Sequence, residues 1–220
     1  MYRPFEPHDT LPPHVLAVCD NFHPQVKPFF KNYDYSQPYE RDRVQFSRMD
    51  NITGHQQRCF MTYWAAYAGM KGGLTLDVGS AGVRHPWSVT ADLYRGEQKV
   101  YGGEVYPDIQ CDANDLSMFG DEAFCAIISS HLIEHLTKPA PQLLREWLRV
   151  VKHGGFIAGI LPDNAYNDVL KMDKDHKQAW DARSFYEAAL IPLEKDNLAT
   201  IVEHDALANG FSFDFVLFRR

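Results

Sequence analysis

The segment LTLDVGSAG at residues 74–82 constrains the fold more than any other stretch of this chain. It begins as a continuous apolar run, which is typical of a strand buried on both faces of a parallel sheet. It then passes through Asp77 into glycine and other small residues, which let the backbone of a tight turn approach a ligand closely. We therefore predict a strand that ends at a binding crevice, with Asp77 at the strand tip.

Beyond this turn, strand-like and helical patterns alternate. Apolar runs that predict strands follow at residues 88–93, 108–112, 124–129 and 156–161. Residues 139–152 predict the clearest helix, because large apolar side chains recur there at helical spacing between prolines and a Gly-Gly pair. Alternating elements of this kind are typical of a doubly wound, mostly parallel sheet.

The end of the chain departs from this alternation. Residues 199–207 and 211–219 are two strand-like runs joined through Asn209-Gly210. So short a connection produces an antiparallel hairpin rather than another crossover. We expect a parallel sheet that is finished by a C-terminal hairpin.

The first 70 residues have a different character. Seven of the thirteen prolines precede Tyr39, and this density prevents long helices or central strands. We expect residues 1–43 to form an extended arm over the main domain, which either roofs a pocket or only adds packing. Residues 44–70 predict a helix with an aromatic stripe that belongs to the core rather than to a cofactor site. The stripe consists of Phe60, Tyr63, Trp64 and Tyr67. The predicted units are therefore 1–70, arm plus helix, and 71–220, the α/β domain.

Composition bounds the class of protein. The chain has 220 residues, 45% of them hydrophobic and 23% charged, which suits a globular domain. Its net charge of −7 argues against a broad electrostatic grip on nucleic acid or anionic membranes. Four dispersed cysteines, no signal-peptide pattern and no apolar stretch of about 20 residues lead us to expect a cytoplasmic protein without membrane spans.

Three segments in order carry a resemblance to a known family. LDVGSAG at residues 76–82 resembles a first motif usually written LDxGxGxG. Residues 111–136 resemble D-A-x-x-L-P-F … F-D-x-V-x-S-x-H-x-x-E-H, and residues 145–163 resemble the helix, turn and strand around L-R-V-L-K-P-G-G. In these motifs the chain is similar to class I S-adenosylmethionine-dependent methyltransferases, in a methyltransferase type 11-like form with a short first crossover.

This resemblance implies a fold, a cofactor and a reaction. The fold would be α/β, a Rossmann-like doubly wound, mostly parallel seven-stranded sheet ending in an antiparallel C-terminal hairpin. The cofactor would be S-adenosylmethionine, and the reaction would be methyl transfer. The chain departs from the family pattern in that Ala81 and Val83 stand where glycines are usual, and His153 replaces a proline. The first crossover helix is reduced to a turn.

The resemblance also implies which residues hold the cofactor. Its methionine end would face Asp77 and the turn made by Gly79, Ser80, Ala81 and Gly82. The alternative for Asp77 is a strand tip that only caps a tight turn.

An acid at the tip of the second strand should accept hydrogen bonds from the ribose hydroxyls, and two residues compete for this role. They are Asp92 and Glu104. Glu104 lies only a few residues before the next strand, too few for the roughly dozen that a parallel connection needs. We therefore favour Asp92.

Two further groups complete the predicted cofactor site. Asp112, with Ala113, would meet the adenine edge, because an ionised carboxylate accepts and the exocyclic amine donates. The alternative for Asp112 is the N-cap of a helix. Ser129 and Ser130 end the strand at 124–129, where this fold opens its crevice.

Three residues near the crevice are candidates for a catalytic general base: His131, Asp163 and His176. A base is required only if the acceptor starts protonated, as a hydroxyl would, and otherwise proximity and orientation suffice. The alternatives are a packed or solvent-facing His131 and a solvated surface loop around His176. The methyl acceptor is not identified. The negative charge and the lack of N-P-P-Y or D-P-P-Y favour a small molecule, sugar or peptide group over nucleic acid.

Three other function classes are alternatives to a methyltransferase. Residues 131–135 spell H-x-x-E-H, the inverted zinc-protease motif, in which two histidines on one helix bind zinc and the glutamate acts as base. Because the motif follows a buried strand, where the methyltransferase pattern expects it, we assign no metal ligand. A nicotinamide oxidoreductase is disfavoured by the absence of G-x-G-x-x-G. A methyltransferase-like domain that only binds a partner is the non-enzyme alternative.

Overall fold

The structure is a computed structural model, and it describes the chain from Gln57 onward with gaps. The described residues are 57, 60–61, 63–65, 67–69, 73–81, 85, 88–94, 96–98, 103–206 and 210–220. The predicted arm at 1–43 lies outside these residues, as do Gly82, Val83 and Asn209. The division of the chain at residue 70 stays a prediction.

Within the described residues, nine strands form two sheets. They are β1 (Thr75–Val78), β2 (Ser88–Asp92), β3 (Gly96–Gln98), β4 (Gly103–Val105), β5 (Ile109–Gln110), β6 (Phe124–Ser130), β7 (Val151–Pro162), β8 (Ala199–His204) and β9 (Ser212–Arg219). The main sheet has seven strands in the order β5-β2-β1-β6-β7-β9-β8. Every pairing from β5 to β7 is parallel, and β9 is antiparallel to both β7 and β8. The predicted fold class is confirmed.

Helices cover both faces of this sheet. Helical residues between 57 and 69 form α1. A 3₁₀ turn at Ile133–His135 precedes α2 (Ala140–Val150), and α3 (Val169–Met172) follows β7. Next, α4 (Ala182–Phe185) continues through a π-helical turn, Tyr186–Leu190, into α5 (Ile191–Lys195). No helix among the described residues is both long enough and apolar enough to cross a membrane.

The sheet separates two apolar cores, because alternate side chains of its central strands point to opposite faces. On one face Ile127 and Ile157 pack with α2 and with the helices that precede β8. On the other, Ile128 and Ala158 pack with α1. The aromatic stripe of α1 is buried in this second core, where Trp64 lies 5.1 Å from Phe156 between ring centroids. The interpretation of the stripe as core is confirmed.

Several element boundaries differ from the prediction. The helix predicted over 139–152 ends at Val150, because Val151 takes an extended conformation and pairs with Phe124 of β6. The strand predicted over 108–112 is only β5, since the chain turns after Gln110. The β3–β4 hairpin and the helices between 182 and 195 are additional elements that the sequence analysis did not predict.

Candidate functional site

The site is built where β1 ends in the glycine turn. Gly79 has φ +71°, which favours glycine, and its amide donates to the Ala91 carbonyl at 2.8 Å. A Cβ at this position would lie 2.8 Å from both methyl carbons of Leu132, so no other residue fits without displacement. The turn therefore packs directly against the chain that leaves β6.

Asp92 ties this turn to the tip of β2. The Ala81 amide donates to Asp92 Oδ2 at 3.0 Å, and the Tyr94 amide donates to Oδ1 at 3.0 Å. Asp92 is buried. Glu104 lies instead in β4, which belongs to the separate two-stranded sheet. The structure thus puts Asp92 at the strand tip that the spacing argument favoured.

Buried polar groups line the same end of the sheet. Asp77 is buried at the centre of the sheet, in register with Thr90 of β2 and Ile128 of β6. The hydroxyls of Ser80 and Ser129 are buried and have no hydrogen-bond partner within the described part of the chain. Buried hydroxyls are normally satisfied, so this pair is suited to a bound polar ligand.

The predicted adenine-side residues follow β5. Asp112 is exposed, and its Oδ1 accepts the Asn114 amide at 2.8 Å. This bond closes a turn rather than the start of a helix, so the alternative role as a helix N-cap is wrong. Ala113 is buried, and its carbonyl accepts the Trp147 indole N–H at 3.1 Å. The Cys111 amide donates to the Asp92 carbonyl at 3.0 Å, which joins this segment to the tip of β2.

His131 follows β6 directly and lies between two polar partners. Its Nε2 is 3.2 Å from Ser212 Oγ, and its Nδ1 is 3.5 Å from Glu134 Oε1. Ser212 Oγ also accepts a hydrogen bond from Gln57 Nε2 at 2.7 Å. A polar chain therefore runs from α1 through β9 to Nε2 of this partly exposed imidazole, and the carboxylate of Glu134 faces its Nδ1. Ser130, the last residue of β6, is half-buried.

Glu134 is the centre of a second group of side chains. One ligand atom each of Glu134, His135 and His176 lies within 4.8 Å of the others. The ring centroids of the two histidines are 4.4 Å apart. Burial lowers the pKa of His135, with smaller opposing effects from neighbouring charges. At neutral pH this imidazole is therefore held in its neutral form.

Asp163 takes a different place. It follows β7, is buried, and its Oδ1 accepts the Ala165 amide at 2.8 Å. Burial raises its pKa, and hydrogen bonds from the Ala165 and Ala182 amides oppose that shift. Among the contacts of the described residues, the structure joins His131 and His176 through Glu134 but does not join Asp163 to either histidine.

Sequence reasoning missed the roles of Glu134, Ser212 and Gln57. The H-x-x-E-H pattern contained a signal for Glu134, because a carboxylate between two histidines is unusual in an apolar segment. Nothing local marks Ser212 or Gln57, which reach His131 only through the tertiary fold.

Comparison with known proteins bears on this geometry. Residues 89–159 match a family model described as methyltransferase domain. The resemblance to methyltransferases is thereby confirmed. The matched segment runs from β2 to the middle of β7, so it includes Asp92, Asp112, Ser129 and the H-x-x-E-H residues. No curated protein sequence matches the chain significantly.

Several solved structures are similar to this chain at low sequence identity. A protein from Pyrococcus horikoshii OT3 is 17% identical, with 91% of this chain and 100% of that one covered and a TM-score of 0.48. An S-adenosylmethionine dependent methyltransferase from Mesorhizobium loti is 12% identical, covers 67% and 91%, and has a TM-score of 0.46. A SAM dependent methyltransferase from Aquifex aeolicus is 16% identical, covers 66% and 81%, and has a TM-score of 0.42. With identities of 17% or less and TM-scores of 0.48 or less, these similarities say nothing about the function of this chain.

Proposed function

We propose that this chain is an S-adenosylmethionine-dependent methyltransferase. The observation that carries the proposal is the glycine turn bound to Asp92 beside the two unpartnered hydroxyls of Ser80 and Ser129. This arrangement lies at the carboxyl edge of a parallel sheet, where α/β folds bind their ligands. The methyltransferase domain match covers the β2 and β6 parts of it.

The described residues fit the cofactor in three places. Asp77 and the turn from Gly79 to Ala81 would hold the methionine end, where Gly79 leaves room for close approach of the backbone. Each oxygen of Asp92 accepts one amide, and a carboxylate oxygen has two acceptor positions, so both can still accept a ribose hydroxyl. Asp112 and Ala113 would border the adenine. Gly82, predicted for the same turn, lies outside the described residues.

Methyl transfer requires little of the protein beyond the correct placement of the cofactor and the acceptor. When bound, S-adenosylmethionine supplies a methyl group on a sulfonium, which is a good leaving group. The residues of this chain would exclude water and orient the acceptor atom toward the methyl carbon. Where that acceptor is a hydroxyl, His131 is the best placed of the three candidate bases, because Ser212 and Glu134 hold its ring beside the crevice. Asp163 and His176 are the other candidates.

The acceptor class follows from charge. With a net charge of −7, the chain has little long-range attraction for polyanions. We propose a small molecule, a sugar or a peptide group as acceptor, rather than nucleic acid. Membrane association is not part of the proposal, and the cytoplasm is the proposed compartment.

Titration calorimetry with S-adenosylmethionine and S-adenosylhomocysteine tests the proposal. We expect binding of both, and Asp92→Asn should weaken it by about tenfold or more, since a hydrogen bond to a charged group contributes about 1.5–3 kcal/mol. The matched control is Asp196→Asn. Asp196 is an exposed carboxylate that pairs with Arg145, and it is remote in sequence from Asp92. Absence of heat with either ligand would remove the enzyme hypothesis and favour the partner-binding alternative.

A further inference from the structure

Glu134, His135 and His176 form a cluster with the composition of a metal-binding site. Two imidazoles and one carboxylate are a ligand set that holds Zn²⁺ and other first-row divalent metals in proteins. Their ligand atoms already lie within 4.8 Å of one another. We infer that Glu134, His135 and His176 bind a divalent transition metal ion, at a site that does not depend on the proposed methyl transfer.

The state of Glu134 is an independent reason. Its side chain is only 1% exposed, and neither carboxylate oxygen has a hydrogen-bond partner in the described part of the chain. His131 Nδ1 lies 3.5 Å from Oε1, a distance at which the two groups face each other without a hydrogen bond. A buried carboxylate is costly unless it is paired, hydrogen-bonded or bound to a metal. A cation between Glu134 and the two imidazoles would satisfy it.

The imidazole of His176 is oriented as metal ligands are. His176 Nδ1 lies 2.6 Å from the Val169 carbonyl oxygen. Because a carbonyl oxygen only accepts hydrogen bonds, the ring proton is assigned to Nδ1, and the lone pair of Nε2 can bind a metal ion. Histidines that bind metals typically donate their second ring N–H to a backbone carbonyl in this way. The ring of His135 lies against that of His176, with the two centroids 4.4 Å apart.

The loop that brings His176 to the site is held by bonds that need no metal. The amides of Lys177 and Gln178 both donate to the Glu134 carbonyl, at 2.7 Å and 3.0 Å. The ligands from the 3₁₀ turn and from this loop are therefore positioned in advance. Three protein ligands leave one position of a tetrahedral ion open for water or another oxygen ligand, as in catalytic rather than structural zinc sites.

Metal binding by the full chain, without an affinity tag, tests the inference. The protein is treated with a chelator, loaded with Zn²⁺ and dialysed, and its metal content is measured. We expect about one equivalent of Zn²⁺, and loading with Co²⁺ should produce the visible absorption of a tetrahedral site. His176→Ala should lower the affinity for Zn²⁺ by at least about 100-fold, and Glu134→Gln should weaken it as well.

His153→Ala is the matched control, because that imidazole is 63% exposed and remote in sequence from the cluster. It should leave the Zn²⁺ affinity unchanged. Equal affinities of His176→Ala and His153→Ala, or no retained Zn²⁺ in the unmodified chain, would overturn the inference. Circular dichroism and His176→Gln check that a loss is not caused by unfolding. S-adenosylhomocysteine binding is measured on the same samples, so that failure of the metal site and failure of the cofactor site are distinguished.

Discussion

Two residues other than glycine have left-handed backbones at the crevice. Ala81 has φ +47° and His131 has φ +51°. Such conformations cost roughly 1–3 kcal/mol and persist only where surrounding bonds impose them. Here the Ala81 amide donates to Asp92, and the His131 amide donates to the Ile160 carbonyl at 2.9 Å. His131 directly follows β6 and Ala81 lies in the turn after β1, so the strain lies at the proposed site.

The strain at Ala81 leads to a stability prediction. Ala81→Gly should raise the free energy of unfolding by about 0.5–1 kcal/mol, because relief of a left-handed alanine outweighs the added flexibility of glycine in the unfolded chain. Chemical denaturation measures the change. Ala188→Gly is the control, since it is exposed in the π-helical turn and should destabilise by about 0.5–1 kcal/mol. Changes of the same sign in both variants would contradict the argument.

A buried acid pair predicts how stability depends on pH. Burial, followed by the charge and hydrogen bond of Asp214, raises the pKa of Glu203 from 4.5 to about 9. A raised folded-state pKa favours the protonated form, so the stabilisation is complete below pH 4.5 and is lost as pH rises toward 9. Glu203→Gln removes this titration. Its melting temperature should therefore exceed that of the unmodified chain by more at about pH 8 than at about pH 5.

Glu187→Gln serves as the control for this prediction. Glu187 is exposed and pairs with Arg183. Its substitution should shift the melting temperature about equally at both pH values. A Glu203→Gln difference that is constant with pH would show that the buried acid does not titrate in this range.

At the scale of elements, one side chain joins the loop between α3 and α4 to the start of α2. Gln178 Nε2 donates to the Leu136 and Lys138 carbonyls, at 2.8 Å and 2.9 Å, and Oε1 accepts the Ala140 amide at 3.3 Å. α2 lacks a side-chain cap from Pro139, so Gln178 supplies an acceptor at the helix start from a distant part of the chain.

Gln178→Ala should lower the free energy of unfolding by about 1–3 kcal/mol, because several partly buried backbone groups lose their partner together. Urea denaturation measures this change. Gln110→Ala is the control, since that exposed side chain makes one bond, to the Leu93 carbonyl. It should stay within about 0.5 kcal/mol of the unmodified chain. Equal small effects of both substitutions would mean that the side-chain hydrogen bonds of Gln178 contribute no stability.

Helices and strands could be predicted from the sequence where a local pattern of residues determines them. β1, β2 and β6 follow from uninterrupted apolar runs, and the observed bounds differ from the predicted ones by a residue or so. The helices between 182 and 195 were missed because their pattern is mixed, with Pro192 near the start of α5 and a π-helical turn between them. The β3–β4 hairpin has too few apolar residues to be recognised from its sequence.

At the scale of the whole molecule, the candidate site also combines residues that local sequence predicts with residues that it does not. The turn at Gly79 and the acid Asp92 could be predicted, because Gly79 directly follows β1 and Asp92 ends β2, and the sequence marks the positions of both strands. The contact of Glu134 with His176 could not be predicted, since it depends on where the loop between α3 and α4 meets the 3₁₀ turn. The interior position of β9 also lacks a local signal, because a hairpin can add to a sheet by either of its strands.

That position of β9 determines when the sheet can be completed. β8 pairs only with β9 in the described sheet, and β9 also covers the edge of β7. During synthesis at about 5–20 residues per second, residues 151–162 would therefore present an open edge until residues 212–219 have left the ribosome. An unpaired apolar edge invites association with other chains. The nascent chain is thus most prone to association in the interval between the synthesis of β7 and that of β9.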